Sequence, residues 1–406
     1  MASIRFIHAA DLHLDSPFKG MTELPQEMLE QLRESTFAAF DQLINYAVET
    51  KPDFVLIVGD VYDGEERSLK AQMRFQSGME KLNDAAIPVF VTYGNHDHLN
   101  GKWTRFALPA NVFEFGGQVE DVCIDIRGRR VVLHGFSYAE RHIKERMIDS
   151  YPVAEDRDVL HIGLLHGSAA GDETHAVYAP FTIADLVSKR YDYWALGHIH
   201  KRQILHEEPM VVYSGNLQGR HRNERGSKGF YEVELDGHET KLNFVSTSSV
   251  VFERVEVSCK GIQHANEWFS ACMEAIDSFT YENGSAIVEI ILTDVEEMTM
   301  ELFSQSGMDE WLHALREMAA EREPFAFVQK IHIVQTSKLH AAYEPLVESV
   351  LQQIDSWTTE QWKGILEDLY GHAQAGRFLD RLHSEDLMEI RKDAEKLLYV
   401  EMSKLK

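Results

Sequence analysis

The sequence has few cysteines and few prolines, and each scarcity excludes a class of protein. Its 406 residues include only three cysteines, at the widely spaced positions Cys123, Cys259 and Cys272. An odd and scattered set of cysteines fits neither a disulfide framework nor a cysteine zinc site. Ten prolines and a hydrophobic fraction of 44% are typical of a folded chain, so a disordered or collagen-like protein is excluded.

The sequence also has no long hydrophobic run. Its apolar stretch FVLIVGD (54–60) is interrupted by Gly59 and Asp60, far short of the roughly 20 residues that a transmembrane helix needs. The first apolar stretch meets Asp11 and His13 almost at once, without the basic start and longer apolar segment of a signal peptide. We therefore expect a cytoplasmic protein.

Positive charge is scarce as well. Lys and Arg number 40 against 66 Asp and Glu, so the formal net charge is −26. Nucleic acid repels such a chain at long range, and the chain as a whole gains little from counterion release. This argues against a stand-alone DNA-binding protein, although not against a subunit of one. A polyanionic substrate would have to be attracted by bound metal, by local basic patches or by a second protein.

The length suggests two or three domains. Residues 1–200 alternate apolar strands with polar helices, the pattern of an α/β layer protein. The predicted strands are 4–9, 53–58, 87–93, 130–134, 159–166 and 193–198, and the predicted helices are 24–49 and 67–84. From 203 to 247, short apolar runs separated by turns predict an antiparallel meander that closes a first domain at residue 250.

A second unit is predicted over residues 251–337. Strands at 251–258, 285–292 and 325–334 alternate there with helices at 263–279 and 299–320, which indicates a small α/β module. Residues 338–406 are predicted to be helical. The apolar positions at 387–405 have helical spacing, so this segment either packs on its own domain or docks on a partner coiled coil.

Five short signatures carry the chemistry, and each follows an apolar strand. They are Asp11-Leu12-His13, Gly59-Asp60, Gly94-Asn95-His96-Asp97, His166-Gly167 and Gly197-His198-Ile199-His200. Each places an oxygen or nitrogen ligand at the carboxyl end of a strand, where open α/β sheets gather their sites. Imidazole and carboxylate ligands without thiolate suit Mn²⁺, Fe²⁺ or Zn²⁺. Seven such ligands are too many for one ion but suit two that share a bridging carboxylate.

These ordered signatures resemble those of the calcineurin-type metallophosphoesterase superfamily, D-x-H, G-D, G-N-H-[DE], H and G-H-x-H. Within it, residues 1–250 are most similar to bacterial DNA repair exonucleases of the SbcD type, which work with an SMC-like ATPase. The form DLHLDSPF (11–18) resembles the YhaO-type subgroup, with Asp15 where SbcD proteins usually carry Gly. The resemblance implies an α/β sandwich of two mixed sheets flanked by helices. It also implies a cap formed by 251–337 and a helical C-terminal region, 338–406, that docks a partner.

The resemblance also implies the ligands of two metal ions, with Mn²⁺ the expected metal and Fe²⁺ or Zn²⁺ the alternatives. It places Asp11, His13 and His200 on one ion, Asn95, His166 and His198 on the other, and Asp60 between them. A water molecule activated by both ions would attack the phosphorus in line.

Three further residues beside these ligands receive roles from the same resemblance. His96 would stabilise charge on the phosphoryl oxygens and protonate the leaving oxygen. Asp63 would orient His96. Asp97 either completes the third motif or holds its loop as a turn carboxylate.

The segment GRHRNERGSK (219–228) is the densest basic cluster of the chain. It is either a solvated loop or a contact with a phosphate backbone through Arg220, Arg222 and Arg225.

Three functions follow from these observations. The first is a two-metal phosphodiesterase that acts on DNA as an exonuclease or endonuclease, with an SMC-like ATPase as partner. The second, favoured by the acidity, is a phosphoesterase for a small phosphorylated substrate such as a nucleotide. The third is an assembly subunit whose hydrolase is regulatory or idle, which the intact ligand positions disfavour. A homodimer is compatible with all three.

Overall fold

The structure is a computed structural model of the 406-residue chain. It describes residues 3–18, 21, 23–64, 67–101, 106–169, 178–237, 239–305, 307–320, 322–334, 344–358, 361, 362, 364, 365, 390, 391 and 394.

A first six-stranded mixed sheet begins with the strand that precedes Asp11. Its strands are β1 (Ile4–Ala10), β2 (Phe54–Val58), β3 (Val89–Thr92), β4 (Val112–Glu114), β11 (Gly229–Leu235) and β12 (Thr240–Ser246). They lie in the order β12-β11-β1-β2-β3-β4. β1 to β4 are parallel to one another, whereas β11 is antiparallel to β1 and to β12. The central parallel strands are almost continuously apolar because both faces of the sheet are covered.

A second six-stranded mixed sheet contains the strands that lead to His166 and His198. Its strands are β5 (Glu120–Ile126), β6 (Arg129–Gly135), β7 (Leu160–His166), β8 (Tyr193–Gly197), β9 (Gln203–Glu207) and β10 (Met210–Tyr213). The order is β5-β6-β7-β8-β10-β9, with the four central strands parallel and both edge strands antiparallel.

The two sheets are stacked through an apolar layer that includes Phe6, Phe54 and Tyr193. The other face of the first sheet is covered by α1 (Gln26–Thr50) and α2 (Leu69–Asp84), which bury side chains at helical spacing. The outer face of the second sheet is covered by α3 (Ile183–Ser188) and by the segment 136–154. The predicted sandwich of two mixed sheets flanked by helices is therefore confirmed.

The predicted antiparallel meander over 203–247 is wrong. β9 and β10 form a hairpin in the second sheet, where β10 runs parallel to β8. β11 and β12 form another hairpin in the first sheet, where β11 runs antiparallel to β1. Alternating apolar residues predict a strand, but they do not specify the sheet with which it pairs.

A third sheet is parallel and has three strands. They are β13 (Val250–Ser258), β14 (Ser285–Thr293) and β15 (Ala326–Ile333), and they lie in chain order. Three helices accompany them, α4 (Ala265–Asn283), α5 (Glu297–Gln305) and α6 (Met308–Ala319). The single helix predicted over 299–320 is thus divided in two, and Gly307 is the N-cap residue of α6. Glycine has a low helix propensity and is tolerated at caps, which accounts for the break.

The third sheet packs against the segment that follows β1. Phe18, Met28 and Leu32 from that segment and from α1 form one buried cluster with Phe252 and Phe325, which belong to the unit predicted over residues 251–337. The unit therefore lies beside the loop that carries Asp11 and His13. The domain boundaries at 250 and 337 stay predictions.

The remaining described part of the chain includes α7 (Glu344–Asp355). The apolar segment 387–405 lies outside the described residues except for 390, 391 and 394. Within the described residues, no helix combines the length and the apolar character required to span a bilayer.

Candidate metal centre

The five sequence signatures meet at one edge of the sandwich. Asp11 and His13 follow β1, Asp60 follows β2, and Asn95 and His96 follow β3. From the second sheet, His166 ends β7 and His198 follows β8. The carboxyl ends of parallel strands lie at the same edge of a sheet, and in this sandwich the two edges coincide.

The backbone at this edge adopts conformations that non-glycine residues rarely use. Asp11, His13, Asp60 and His198 all have positive φ, at 51°, 41°, 47° and 97°. Hydrogen bonds hold this geometry, because His13 N donates to Asp60 O at 3.0 Å and His198 N donates to the Asp11 carboxylate at 3.0 Å. Such strain persists where surrounding contacts over-determine it, and it concentrates at functional sites.

Asp11, His13 and His200 form a first cluster, with one ligand atom from each lying within 4.8 Å of the others. The Nε2 atoms of His13 and His200 face each other at 3.0 Å. The Nδ1 atom of His13 lies 3.4 Å from Asp63, and that of His200 lies 2.6 Å from Glu224. Carboxylates favour a proton on each Nδ1, so two Nε2 lone pairs converge on one point. Burial lowers the pKa of His13 to about 3, which keeps that lone pair available. Converging lone pairs of this kind fit a divalent cation.

Asp11, Asp60 and His166 form a second buried cluster. His166 Nδ1 donates to Val58 O at 3.3 Å, while Nε2 lies 3.1 Å from Asn95 Oδ1 and 3.5 Å from Asp60 Oδ2. Burial opposes protonation of His166, but the Asp60 and Asp11 carboxylates outweigh it and raise its pKa to about 9. The two carboxylates thus favour a positive charge next to His166 Nε2. A divalent ion bound by these three side chains would supply that charge.

Asp60 belongs to the second cluster and also lies close to the first, and Asp11 is common to both. The Oδ2 atom of Asp60 is 3.5 Å from His166 Nε2 and 3.7 Å from His13 Nε2, and its Oδ1 atom accepts a hydrogen bond from His96 N at 3.0 Å. This position suits the predicted bridging ligand. Taken together, the buried His and Asp clusters fit a site for two metal ions.

Of the predicted metal ligands, His198 has the weakest geometric support. Its ring centroid lies 5.2 Å from that of His166 and 5.1 Å from that of Tyr178. Within the described part of the chain, no group of three ligand atoms within 4.8 Å includes His198. The assignment of individual ligands to individual ions stays a prediction.

Two glycines of the signatures are required by close packing. A Cβ atom at Gly94 would lie 2.3 Å from Asp60 Oδ1 and 2.7 Å from His166 Nε2. Gly59 has φ +77°, and a Cβ atom there would lie 2.0 Å from His166 Nδ1. Any side chain at either position would displace the His166 imidazole from its carboxylate partners.

Asp63 links three basic groups at the rim of the centre. Its Oδ1 atom lies 3.0 Å from Arg220 Nη1, 3.4 Å from His13 Nδ1 and 3.5 Å from His96 Nδ1. Ser16 Oγ donates to Oδ2 at 2.9 Å. Burial disfavours the ionised form of Asp63, but the Arg220 guanidinium and the two histidines outweigh it and lower its pKa. The structure therefore brings Asp63 and His96 together, and it adds His13 and Arg220 to the expected contacts of Asp63.

His96 has a third of its side chain exposed at this rim, unlike the buried histidines below it. Its ring lies edge-on to His13 with centroids 5.0 Å apart. Burial, reinforced by the charge of Arg220, lowers the pKa of His96 despite the nearby carboxylates of Asp60 and Asp63. His96 is thus the ring of the third signature that a substrate could reach.

Asp97 holds the loop that carries Asn95 and His96. Its carboxylate accepts hydrogen bonds from the backbone N–H groups of Gly94 at 2.7 Å and Val61 at 2.7 Å, and it is fully buried. Of the two roles predicted for Asp97, these contacts are those of the turn carboxylate.

The basic segment 219–228 does not form one solvent-facing patch. Arg220 has only 15% of its side chain exposed and binds Asp63, and Arg225 lies 3.8 Å from the buried Glu289. Arg222 is partly exposed. Arg220 faces the centre and not the solvent, and the contact of these three arginines with a phosphate backbone stays a prediction. A linear sequence cannot show which members of a basic run acquire buried carboxylate partners.

Glu224 is the residue that sequence reasoning missed. It accepts hydrogen bonds from His200 Nδ1 at 2.6 Å, from Arg220 N at 2.7 Å and from Asn216 Nδ2 at 2.8 Å. Burial disfavours its ionised form, but the contact with His200 outweighs this and lowers its pKa. The only signal in the sequence was the position of Glu224 as a single acidic residue within the basic segment 219–228.

Comparisons with known proteins agree with this geometry. The profile of calcineurin-like phosphoesterases matches residues 4–202. The uncharacterized metallophosphoesterase YhaO of Bacillus subtilis is 36% identical over 402 residues, which span 98% of each chain.

More distant relatives include two archaeal proteins. The DNA double-strand break repair protein Mre11 of Thermoplasma acidophilum is 25% identical over 265 residues, 60% of this chain and 65% of its own. Its counterpart from Methanocaldococcus jannaschii is 25% identical over 274 residues, 64% of this chain and 69% of its own. Among solved structures, a dimetal phosphatase from Danio rerio aligns with a TM-score of 0.33 at 11% identity, over 60% of this chain and 99% of that one.

Proposed function

Because this chain belongs to the calcineurin-like phosphoesterase family, we propose that it is a two-metal phosphodiesterase that cleaves DNA as an exonuclease or endonuclease of the SbcD type. The observation that carries the proposal is the pair of ligand clusters that share Asp11 and are linked by Asp60, with the reachable ring of His96 beside them. The similarity to two DNA double-strand break repair proteins supports DNA as the substrate.

The residues of the centre would have different roles in hydrolysis. Asp11, His13, Asp60, Asn95, His166, His198 and His200 would hold two divalent ions, with Mn²⁺ the proposed metal. Bound there, the ions would neutralise charge on the phosphoryl group and lower the pKa of a water molecule. His96 would donate a proton to the leaving oxygen.

Asp63 and Arg220 would keep His96 in place. The Asp63 carboxylate lies 3.5 Å from His96 Nδ1, longer than a hydrogen bond, and a bound substrate would be expected to tighten this contact. Arg220 Nη1 holds the same carboxylate oxygen at 3.0 Å. His96 is therefore proposed as the catalytic residue and Asp63 as its positioning residue.

A small phosphorylated substrate is the second candidate, and the charge of the protein favours it. The net charge of −26 opposes a long polyanion more strongly than a mononucleotide. The deciding experiment is Mn²⁺-dependent digestion of single-stranded and double-stranded DNA beside a small chromogenic phosphodiester. Cleavage of DNA at a higher kcat/KM than the small diester supports the nuclease, and the reverse order supports the second candidate.

An SMC-like ATPase is proposed as the partner, docked on residues 338–406, which the sequence predicts to be helical. The amphipathic spacing at 387–405 supports this proposal. Removal of residues 384–406 should spare hydrolysis of the small diester but abolish any stimulation of DNA cleavage by the purified ATPase. Equal stimulation of the full and shortened chains would contradict the docking proposal.

A further inference from the structure

A basic cleft adjoins the metal centre on the far side of His200. Residues 200–202, 214–216 and 225–229, with Phe244, enclose about 170 Å³ of space. Four basic side chains line it, those of Lys201, Arg202, Arg225 and Lys228, and no described Asp or Glu does. The cleft is therefore positively charged, although the chain as a whole has a net charge of −26.

The positive charge of the cleft is only partly neutralised. Among the described residues, Lys201 and Arg202 have no carboxylate within ion-pair distance. The Arg225 guanidinium is paired with Glu289 at 3.8 Å. Glu224, the acidic residue next to the cleft, offsets part of the charge of Lys228 and accepts three hydrogen bonds from His200, Arg220 and Asn216. Two adjacent cations without a counter-charge repel each other, and a bound anion would relieve that repulsion.

The cleft is also held in a defined shape. The Arg202 guanidinium lies 3.5 Å from the centroid of the Phe244 ring, a cation–π contact that fixes its position. Lys228 is 8% exposed, and its Nζ atom donates to His200 O at 3.4 Å. An arginine stacked on an aromatic ring and a largely buried lysine are more ordered than flexible surface cations, so less entropy is lost when an anion binds.

His200 borders both the metal centre and this cleft. Its Nε2 atom faces His13 in the centre, while its backbone oxygen faces Lys228 in the cleft. A substrate whose scissile phosphate lies at the centre could therefore place a neighbouring phosphate in the cleft. A small diester with a single phosphate would leave the cleft empty.

We propose that the cleft at Lys201, Arg202 and Lys228 binds a second phosphate group of the substrate, beside the one that is cleaved. This inference rests on the proposed phosphodiesterase function and narrows its substrate class to compounds with at least two phosphates, such as an oligonucleotide. The cleft also gives an acidic protein a local attraction for a polyanion.

The first test measures binding without catalysis. The affinity of a fluorescent single-stranded oligonucleotide is measured in EDTA over a range of salt concentrations, for the wild type and for the double variant Lys201→Gln/Arg202→Gln. The matched control is Lys81→Gln/Arg130→Gln, which removes the same charge from exposed positions on α2 and β6. We expect the cleft variant to bind about tenfold more weakly, with a log–log salt slope flatter by ~0.7, because one phosphate contact on a single strand contributes ~0.7. Equal affinities and slopes for the cleft and control variants would overturn the proposal.

The second test separates the cleft from the catalytic centre. With Mn²⁺ present, kcat/KM is measured for a short oligonucleotide and for a small chromogenic diester. We expect the ratio of the two values to fall about tenfold in the cleft variant, through KM, and to stay at its wild-type value in the control. A loss of equal size on both substrates would mean that the substitutions damage the centre, and the proposal would fail.

Inorganic phosphate distinguishes a substrate phosphate from a free one. Phosphate that competes with the oligonucleotide in the wild type but not in the cleft variant supports the proposal. Phosphate that binds the cleft without displacing the oligonucleotide would identify a free anion as the ligand and overturn it. If the wild type binds the oligonucleotide through the cleft but hydrolyses no diester, the proposed phosphodiesterase function is contradicted, whereas phosphate binding by the cleft is supported.

Discussion

His200 Nδ1 lies 2.6 Å from Glu224 Oε1, and this contact sets the direction in which the imidazole faces. The other oxygen of Glu224 accepts hydrogen bonds from Arg220 N and Asn216 Nδ2, so the carboxylate itself is fixed. The proton that this pair keeps on Nδ1 leaves the Nε2 lone pair directed at His13. Carboxylate–histidine pairs of this kind orient metal ligands and raise their basicity.

Replacement of Glu224 by Gln should therefore weaken metal binding. We expect about a 10- to 100-fold loss of Mn²⁺ affinity, measured by isothermal titration calorimetry, because an amide orients the ring without the negative charge. The control is Glu207→Gln, an exposed position on β9. An affinity equal to that of the control would show that Glu224 is only a structural partner of Asn216.

The position of Asp60 predicts the metal stoichiometry. Its Oδ2 atom lies within 3.7 Å of ring nitrogens from both clusters. Elemental analysis after loading should approach two ions per wild-type chain and fall for Asp60→Ala. A single ion at saturation in the wild type, or undiminished loading of the variant, would contradict the dinuclear site.

His96→Ala should separate metal binding from turnover. We expect the variant to retain its metal and to lose ~10²–10⁴-fold in kcat, the usual contribution of a general acid. The loss should be smaller for a diester with an activated leaving group, which needs less protonation. His313→Ala, at an exposed position on α6, is the matched control. If metal content falls together with activity, His96 is a ligand instead.

Glu289 predicts a pH dependence of stability. It is buried in β14, with Arg254 Nε at 2.8 Å and His332 Nε2 at 3.6 Å. Burial disfavours its ionised form, but these two partners outweigh it and lower its pKa from 4.5 to about 2. A folded-state pKa below the unfolded one stabilises the fold above about pH 4.5, and that contribution is lost as the pH falls towards 2.

Glu289→Gln should thus cost on the order of 3 kcal/mol of unfolding free energy at pH 7. The difference from the wild type should shrink as the pH is lowered. Urea unfolding at pH 7 and at pH 3.5 measures both quantities. A difference that does not change with pH would mean that packing, and not charge, accounts for the effect.

Local pattern was sufficient to locate most of the elements and the signatures of the centre, although β4, β5 and α3 were not predicted. Apolar runs of four to seven residues marked β1, β2, β3, β7 and β8, and the polar residues after them are those that cluster in the structure. This works because the carboxyl ends of parallel strands lie at one edge, so a position along the chain implies a position in space. Gly307 marks the break between α5 and α6. The apolar residues on both sides of it have helical spacing, and for that reason a single helix was predicted.

Contacts between distant segments were decided only by the tertiary structure. The hairpins β9–β10 and β11–β12 both read as short apolar runs separated by turns but join different sheets, because pairing depends on which strand edge is free. Within the run 219–228, burial turned Arg220 towards Asp63 and Glu224 towards His200. Lys228 was left facing the cleft with Lys201 and Arg202. A sequence records the charge of each residue, but the partner that neutralises the charge is set by packing between segments up to hundreds of residues apart.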